Sequence, residues 1–127
     1  MSINVRELLL TPVVTPTEIV PLPELGEGVS VTVKGMTARD KGAFDMQFLT
    51  KGEQNTRTQK QIRERMLVVC CVDDNGARIF TLEDVAALGL QSLAIVERIF
   101  DACQRVNGAS SKAVETAEKN LEATADI

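Results

Sequence analysis

The stretch Leu90–Val106 constrains this chain most. Its apolar residues fall in two stripes, Leu93, Val96, Phe100 and Cys103 on one and Ile95, Ile99, Ala102 and Val106 on the other. Steps of three and four residues align each stripe along a helix. Their union is far wider than the roughly 100° apolar face of an ordinary surface helix. Only Glu97, Arg98, Asp101, Gln104 and Arg105 are clearly polar. Such a helix is either central to its own domain or shared with a partner, and both can hold at different positions. The expectation is that Phe100 serves the core, while Ile95 and Ile99, with Ala102 and Val106 in their stripe, form a protein-binding face. Asn107-Gly108 is a strong helix stop.

The segment before it is consistent with a helical domain. Thr81 caps a short helix that ends near Gly89, with Asp84 in its third position and Phe80 placed to staple onto Val85. Asp73-Asp74-Asn75-Gly76 is a tight turn. A calcium loop is the alternative, but the glycine comes too early after the acids and no closing acid sits at the right distance. A helix beginning at Thr58 or Gln59 carries Ile62, Met66, Val69 and Cys70 on one face. The β-favouring run Leu67–Val72 admits a buried strand instead; helix is the preferred reading, because the apolar spacing starts at Ile62 among strong helix formers. Lys51–Thr58 is polar and reads as a loop. Thr37 opens a further helix, with Asp40 in a variant capping box and Phe44 and Phe48 one turn apart, joined by Met36 and Leu49.

Toward the N-terminus the pattern changes. Val29-Ser30-Val31-Thr32-Val33 alternates apolar and polar residues, as a half-buried strand does. Thr17–Leu22 is its hairpin partner across the Gly26-Glu27-Gly28 turn, and Pro16, Pro21 and Pro23 place it at an edge. A lone hairpin is marginal in water, so its valine face must pack on helices. Ser2–Leu10 reads as a short helix with Ser2 as cap and Val5, Leu8 and Leu9 on one side. Residues 1–23 form a Pro-rich arm that lies on the domain surface or on another subunit, with a disordered tail open as the alternative for its first part. After Gly108 a last helix, about 110–123, carries the thin stripe Val114, Ala117, Leu121 and is read as loosely docked. The fold class is therefore mainly α: one small domain, 1–127, of four to five helices with one β-hairpin near the N-terminus.

Composition excludes several functions. The chain has no His, Trp or Tyr, so the commonest metal ligand and the usual neutral-pH base are both missing. Aromatic residues are 3%, all Phe, which leaves no stacking platform for single strands, and the net charge of −4 opposes phosphate backbones. No nucleic-acid partner is expected. Cys70, Cys71 and Cys103 are an odd count in apolar runs and read as reduced thiols used as small buried hydrophobes. No run reaches the length of a membrane span, and Arg6 and Glu7 interrupt any signal peptide.

Candidate chemistry is weak throughout. Glu83-Asp84 and Asp73-Asp74 are explained by a helix first turn and a solvated turn. Ser110-Ser111 is capping chemistry. Gly26-Glu27-Gly28 precedes its strand and so lacks the context of a phosphate cradle. Arg57, Lys60, Arg63 and Arg65 are offset by Glu64 and read as a solvated face. No nucleophile, base and orienting group can be assembled. Catalytic residues, cofactors and metals are all expected to be absent.

The order of motifs resembles the small tail assembly chaperones of lambda-like long-tailed phages. It is carried by the Leu25-Gly26 turn into a valine strand, the Met36-Thr37-Ala38-Arg39-Asp40 helix start, and the Asp73, Gly76, Phe80-Thr81, Asp84 passage. Asn107-Gly108 leading to Ala113-Val114-Glu115 and Glu118-Lys119-Asn120 completes it. The resemblance implies a homo-oligomeric, non-enzymatic protein of the host cytoplasm. It would bind the long apolar tape measure protein, help recruit tail tube protein and be left out of the mature virion. It also implies a longer form made by −1 frameshifting. Glu118-Lys119-Asn120 can be written GAA-AAA-AAY, which contains a slippery heptamer; GAG at Glu118 or AAG at Lys119 removes it. The rival is a structural tail or head–tail joining protein retained in the particle, whose neighbours the arm would clasp.

Overall fold

The computed structural model describes residues 3–49 and 53–108. In chain order the elements are α1 (Val5–Leu10), β1 (Thr17–Pro21), β2 (Ser30–Lys34), α2 (Ala38–Met46), α3 (Glu53–Lys60), α4 (Ile62–Cys70), β3 (Cys71–Val72), α5 (Val85–Leu88) and α6 (Leu93–Val106). Short 3-10 turns at Pro23–Leu25 and Leu82–Asp84 join them. The described residues are mainly helical, with one small antiparallel sheet. The C-terminal helix expected over 110–123, and the Glu118-Lys119-Asn120 tripeptide, lie outside the described residues.

The hairpin forms where alternation and turn chemistry place it. Val20 faces Val31 and Glu18 faces Val33 across β1 and β2, and β1 is the edge strand, where its terminal Pro21 is tolerated. The sheet gains a third strand that the sequence offered only as an alternative. Leu67–Val72 divides: α4 runs to Cys70, then Cys71 turns extended (φ −74, ψ 125) and pairs with Val33, and Val72 pairs with Thr32. Both readings of that run are therefore right for part of it. Without β3 the inner edge of β2 would leave ladder groups unpaired in the interior.

Helix starts follow their caps. Thr37 Oγ1 accepts from the Asp40 N–H (3.1 Å), while an Asp40 carboxylate oxygen accepts from the Thr37 N–H (3.2 Å). Thr81 and Asp84 make the same reciprocal pair. Phe44 and Phe48 meet edge to face with centroids 5.0 Å apart, and Met36 packs nearby, but Leu49 is exposed rather than joined to them. Asn4, not Ser2, caps α1, accepting from the Glu7 N–H at 3.2 Å. The polar segment read as a loop over Lys51–Thr58 is largely helix, α3. The helix Glu53–Lys60 is rich in residues of good helix propensity and has no glycine or proline inside it, but it lacks an apolar period. The expected start of α6 at Leu90 also moves: Leu90 stands in solvent and the helix begins at Leu93.

The core lies between one face of the sheet and the crossing of α4 with α6. Val20, Leu22 and Val33 come from the sheet side, Leu67 and Cys70 from α4, and Val96, Ile99 and Cys103 from α6. Gly35 sits at the end of β2, where a β-carbon would stand 2.7 Å from the Val106 carbonyl oxygen. Only glycine permits this approach between sheet and helix end. Past it, Asn107 ties the two regions: its side-chain oxygen accepts from the Met36 N–H at 2.6 Å, and its amide donates to the Cys103 carbonyl at 2.7 Å. Gly108 then leaves the helix at φ +83.

Candidate interaction surface

A groove opens beside the N-terminal half of α6. It is bounded by the β1–β2 connection, Leu67 of α4, and Phe80 and Leu88 near α5, and it encloses about 330 Å³. Ile95, Val96 and Ile99 line its α6 wall and Leu22 and Leu67 the adjoining interior; all five are buried. Leu25, Val29 and Ile79 also line it and stay partly in solvent, at 50%, 38% and 46% exposure. Among the described residues that line it, Ser30 and Gln91 alone have polar side chains. A space with that lining suits aliphatic side chains better than a polar ligand.

Two guanidinium forks hold the hairpin on α6. Arg98 donates to both oxygens of Glu24 (2.8 and 2.6 Å) and to the Pro21 carbonyl (3.2 Å), fixing the turn that carries Leu25. Arg105 donates to both oxygens of Glu18 (3.0 and 2.5 Å). The Arg98 hydrogen bonds hold the Glu24 carboxyl down at about 2, and those from Arg105 lower Glu18 in the same direction. These arginines on the polar side of α6 are structural clamps, which the sequence pattern did not distinguish from solvated charges.

Both stripes of α6 contribute to the core: Val96 and Cys103 of the first stripe are buried, and so is the whole of the second. Ile95, Ile99, Ala102 and Val106, expected on a protein-binding face, are buried at 5%, 6%, 0% and 7% exposure. Phe100, expected in the core, packs against it while partly buried, with Arg63 over its ring at 5.9 Å, and Leu93 is exposed. The physical reason is the sheet: its inner face needs a helical partner and takes the Ile95–Val106 stripe. Ile95 and Ile99 nevertheless line the groove, so their position is shared between core and surface, whereas Ala102 and Val106 do not line it.

The arm is an exposed apolar surface that the sequence pattern understates. Ile3, Val5, Leu8, Leu9, Leu10, Val13 and Val14 are all 60–85% exposed, and α1 has no buried residue. Its signal is the density of Leu and Val between residues 5 and 14.

The remaining candidates have local roles. Asp73 accepts from the Asn75 and Ala77 N–H groups of its own turn, and Asp84 from Thr81. Arg63 pairs with Glu97 and Arg65 with Gln61 and Gln47, while Arg57 and Lys60 are exposed. Cys70, Cys71 and Cys103 are buried free thiols. Burial pushes Cys71 up to about 12, and Cys103 is raised by its hydrogen bond to Cys70 together with burial, so both stay protonated and unreactive at neutral pH. Among the described residues no cluster of three metal-ligating side chains occurs, and no helix is long and apolar enough to cross a membrane.

No family model matches this sequence, and no curated protein matches it in sequence. Among solved structures, the fold is similar to that of the bacteriophage HK97 tail assembly chaperone. The TM-score is 0.53 at 12% sequence identity, over 73% of this chain and 87% of that chain. The chain has a phage tail assembly chaperone-like fold; the likeness does not single out the lambda-like group.

Proposed function

We propose that this protein is a phage tail assembly chaperone, and that its client is the tape measure protein, held soluble until tail tube protein surrounds it. The observation that carries this reading is the fold likeness over most of the HK97 chaperone. The surfaces agree with it: an apolar groove on one side and an exposed apolar arm offer binding to long apolar helices without any catalytic grouping. On this reading the protein works in the host cytoplasm, self-associates, and is left out of the finished virion. A longer frameshifted form would bring tube subunits beside the tape measure by raising their effective concentration.

The test is affinity capture of the protein from infected cells, with mass spectrometry of what accompanies it. Tape measure and tube proteins are the expected companions. Capture of completed tails or head–tail connectors in their place overturns the reading. The exposed arm is the one feature that also suits a structural tail protein. Mass spectrometry of purified virions separates the two, since a chaperone is absent from them and a tail component is present at fixed copy number.

A further inference from the structure

We propose that Gly89 marks a cation site, in which the Glu64 carboxylate and the Val85 and Ala86 carbonyl oxygens hold a calcium-sized, oxygen-seeking ion. Glu64 is half-buried on α4, and its Oε2 lies in the interior with no hydrogen-bond partner among the described residues. None of the ion pairs among those residues uses it. A buried carboxylate oxygen left unmatched is costly, and a cation removes that cost. The companion oxygens come from the end of α5. A β-carbon on Gly89 would stand 3.3 Å from the Ala86 carbonyl oxygen, 3.5 Å from Glu64 Oε1 and 3.6 Å from the Val85 carbonyl oxygen. Three oxygens thus gather round one point that glycine leaves open.

The carbonyls are free to serve. The Val85 oxygen accepts from the Gly89 N–H at 3.0 Å and keeps a second lone pair. Leu90 and Gln91 turn their N–H groups to the Ala87 and Leu88 carbonyls, both at 3.1 Å, so the Ala86 oxygen has no donor among the described residues. Ala86 and Gly89 are exposed, which gives an ion a way in and leaves room for water to complete its shell. Calcium accepts carboxylate and carbonyl oxygens at about 2.3–2.6 Å in irregular geometry, whereas magnesium demands a near-ideal octahedron. The carboxylate is the tip of a flexible side chain and can close to that distance while the helix stays still. Two of the three ligands are main-chain atoms, so no residue pattern announces the site. Leu88 and Gln91, on either side of Gly89, line the apolar groove, and an ion here ties α4 to that wall. The site uses only oxygens of this chain and stands apart from the identity of any client.

Calorimetric titration of the chelator-treated full chain with calcium chloride, at constant ionic strength, tests it. One ion per chain is expected, with a dissociation constant of about 0.1–1 mM, the weak end of calcium sites, as a single charged ligand implies. Magnesium chloride should bind more weakly. Glu64→Gln removes the charge. Gly89→Ala fills the point where the oxygens meet, and its helical backbone angles (φ −66, ψ −17) accept alanine. Each variant should abolish the binding, while Glu83→Gln, at an exposed acid just before α5, should leave it unchanged. An unaltered chain that takes up no calcium overturns the proposal. So does saturable binding that survives in either site variant, binding that Glu83→Gln weakens as much as Glu64→Gln, or magnesium binding as tightly as calcium. Circular dichroism checks the fold of each. Glu64→Asp, whose shorter stem withdraws the charge, replaces Glu64→Gln if that variant loses its helical signal, with the same loss expected.

Discussion

Ile99 and Leu93 sit on the same helix and differ in nearly everything that matters energetically. Ile99 is 6% exposed and Leu93 67% exposed. Ile99→Ala should lower unfolding free energy by roughly 2–5 kcal/mol, because the void left against the sheet cannot close fully. Leu93→Ala should stay within about 0.5 kcal/mol, as exposed substitutions generally do. Urea titration of both variants checks the assignment, and equal losses would contradict it. Gly35→Ala makes a complementary point about backbone approach. Its β-carbon would press on the Val106 carbonyl, a backbone atom that yields only if the end of α6 moves. A loss of about 1–3 kcal/mol is expected, in the range of overpacked interiors, and a neutral result in the same titration would mean that the two ends are not held together. Gly35 carries no sequence signal of its own: it is one glycine before a helix cap, and its constraint comes from a residue distant in sequence.

At the level of elements, local chemistry was legible and pairing between distant segments was not. Both capping boxes, the β1–β2 hairpin, the Asp73–Gly76 turn and the Asn107-Gly108 stop rest on neighbours in the chain, and each appears where those neighbours put it. α3 shows no apolar period because it is polar throughout, and β3 shows none because it is two residues long. The α6 clamps belong to this second class, since Arg98 and Glu24 are 74 residues apart. They give the hairpin an acid sensitivity. The Glu24 carboxyl falls from 4.5 to about 2 in the folded protein, so its unfolded form binds the proton first as pH drops. Stability from the clamp is complete above about 4.5 and disappears as pH falls toward about 2. Thermal unfolding across that interval should show a midpoint that declines less steeply in Arg98→Ala than in the unaltered chain; parallel curves would assign the acid loss to other carboxylates.

For the whole molecule, two stripes on Leu90–Val106 implied more apolar surface than a small helical domain needs, and the sheet absorbs most of the excess. Ile95 and Ile99 therefore reach the surface only as the wall of a groove, and the exposed apolar surface shifts to the arm and the groove edge. That division could not be seen before the sheet was placed, because the faces of one helix are equivalent until something packs on one of them. A chaperone that shields an apolar helical client in this groove should change the client's fate in a way one measurement captures. The tape measure protein of the same phage, produced together with this chain, should partition into the soluble fraction. With Leu25→Asp at the groove edge it should return to the pellet, while the variant itself stays soluble and folded. A tape measure protein equally insoluble with and without the unaltered chain would contradict the chaperone reading.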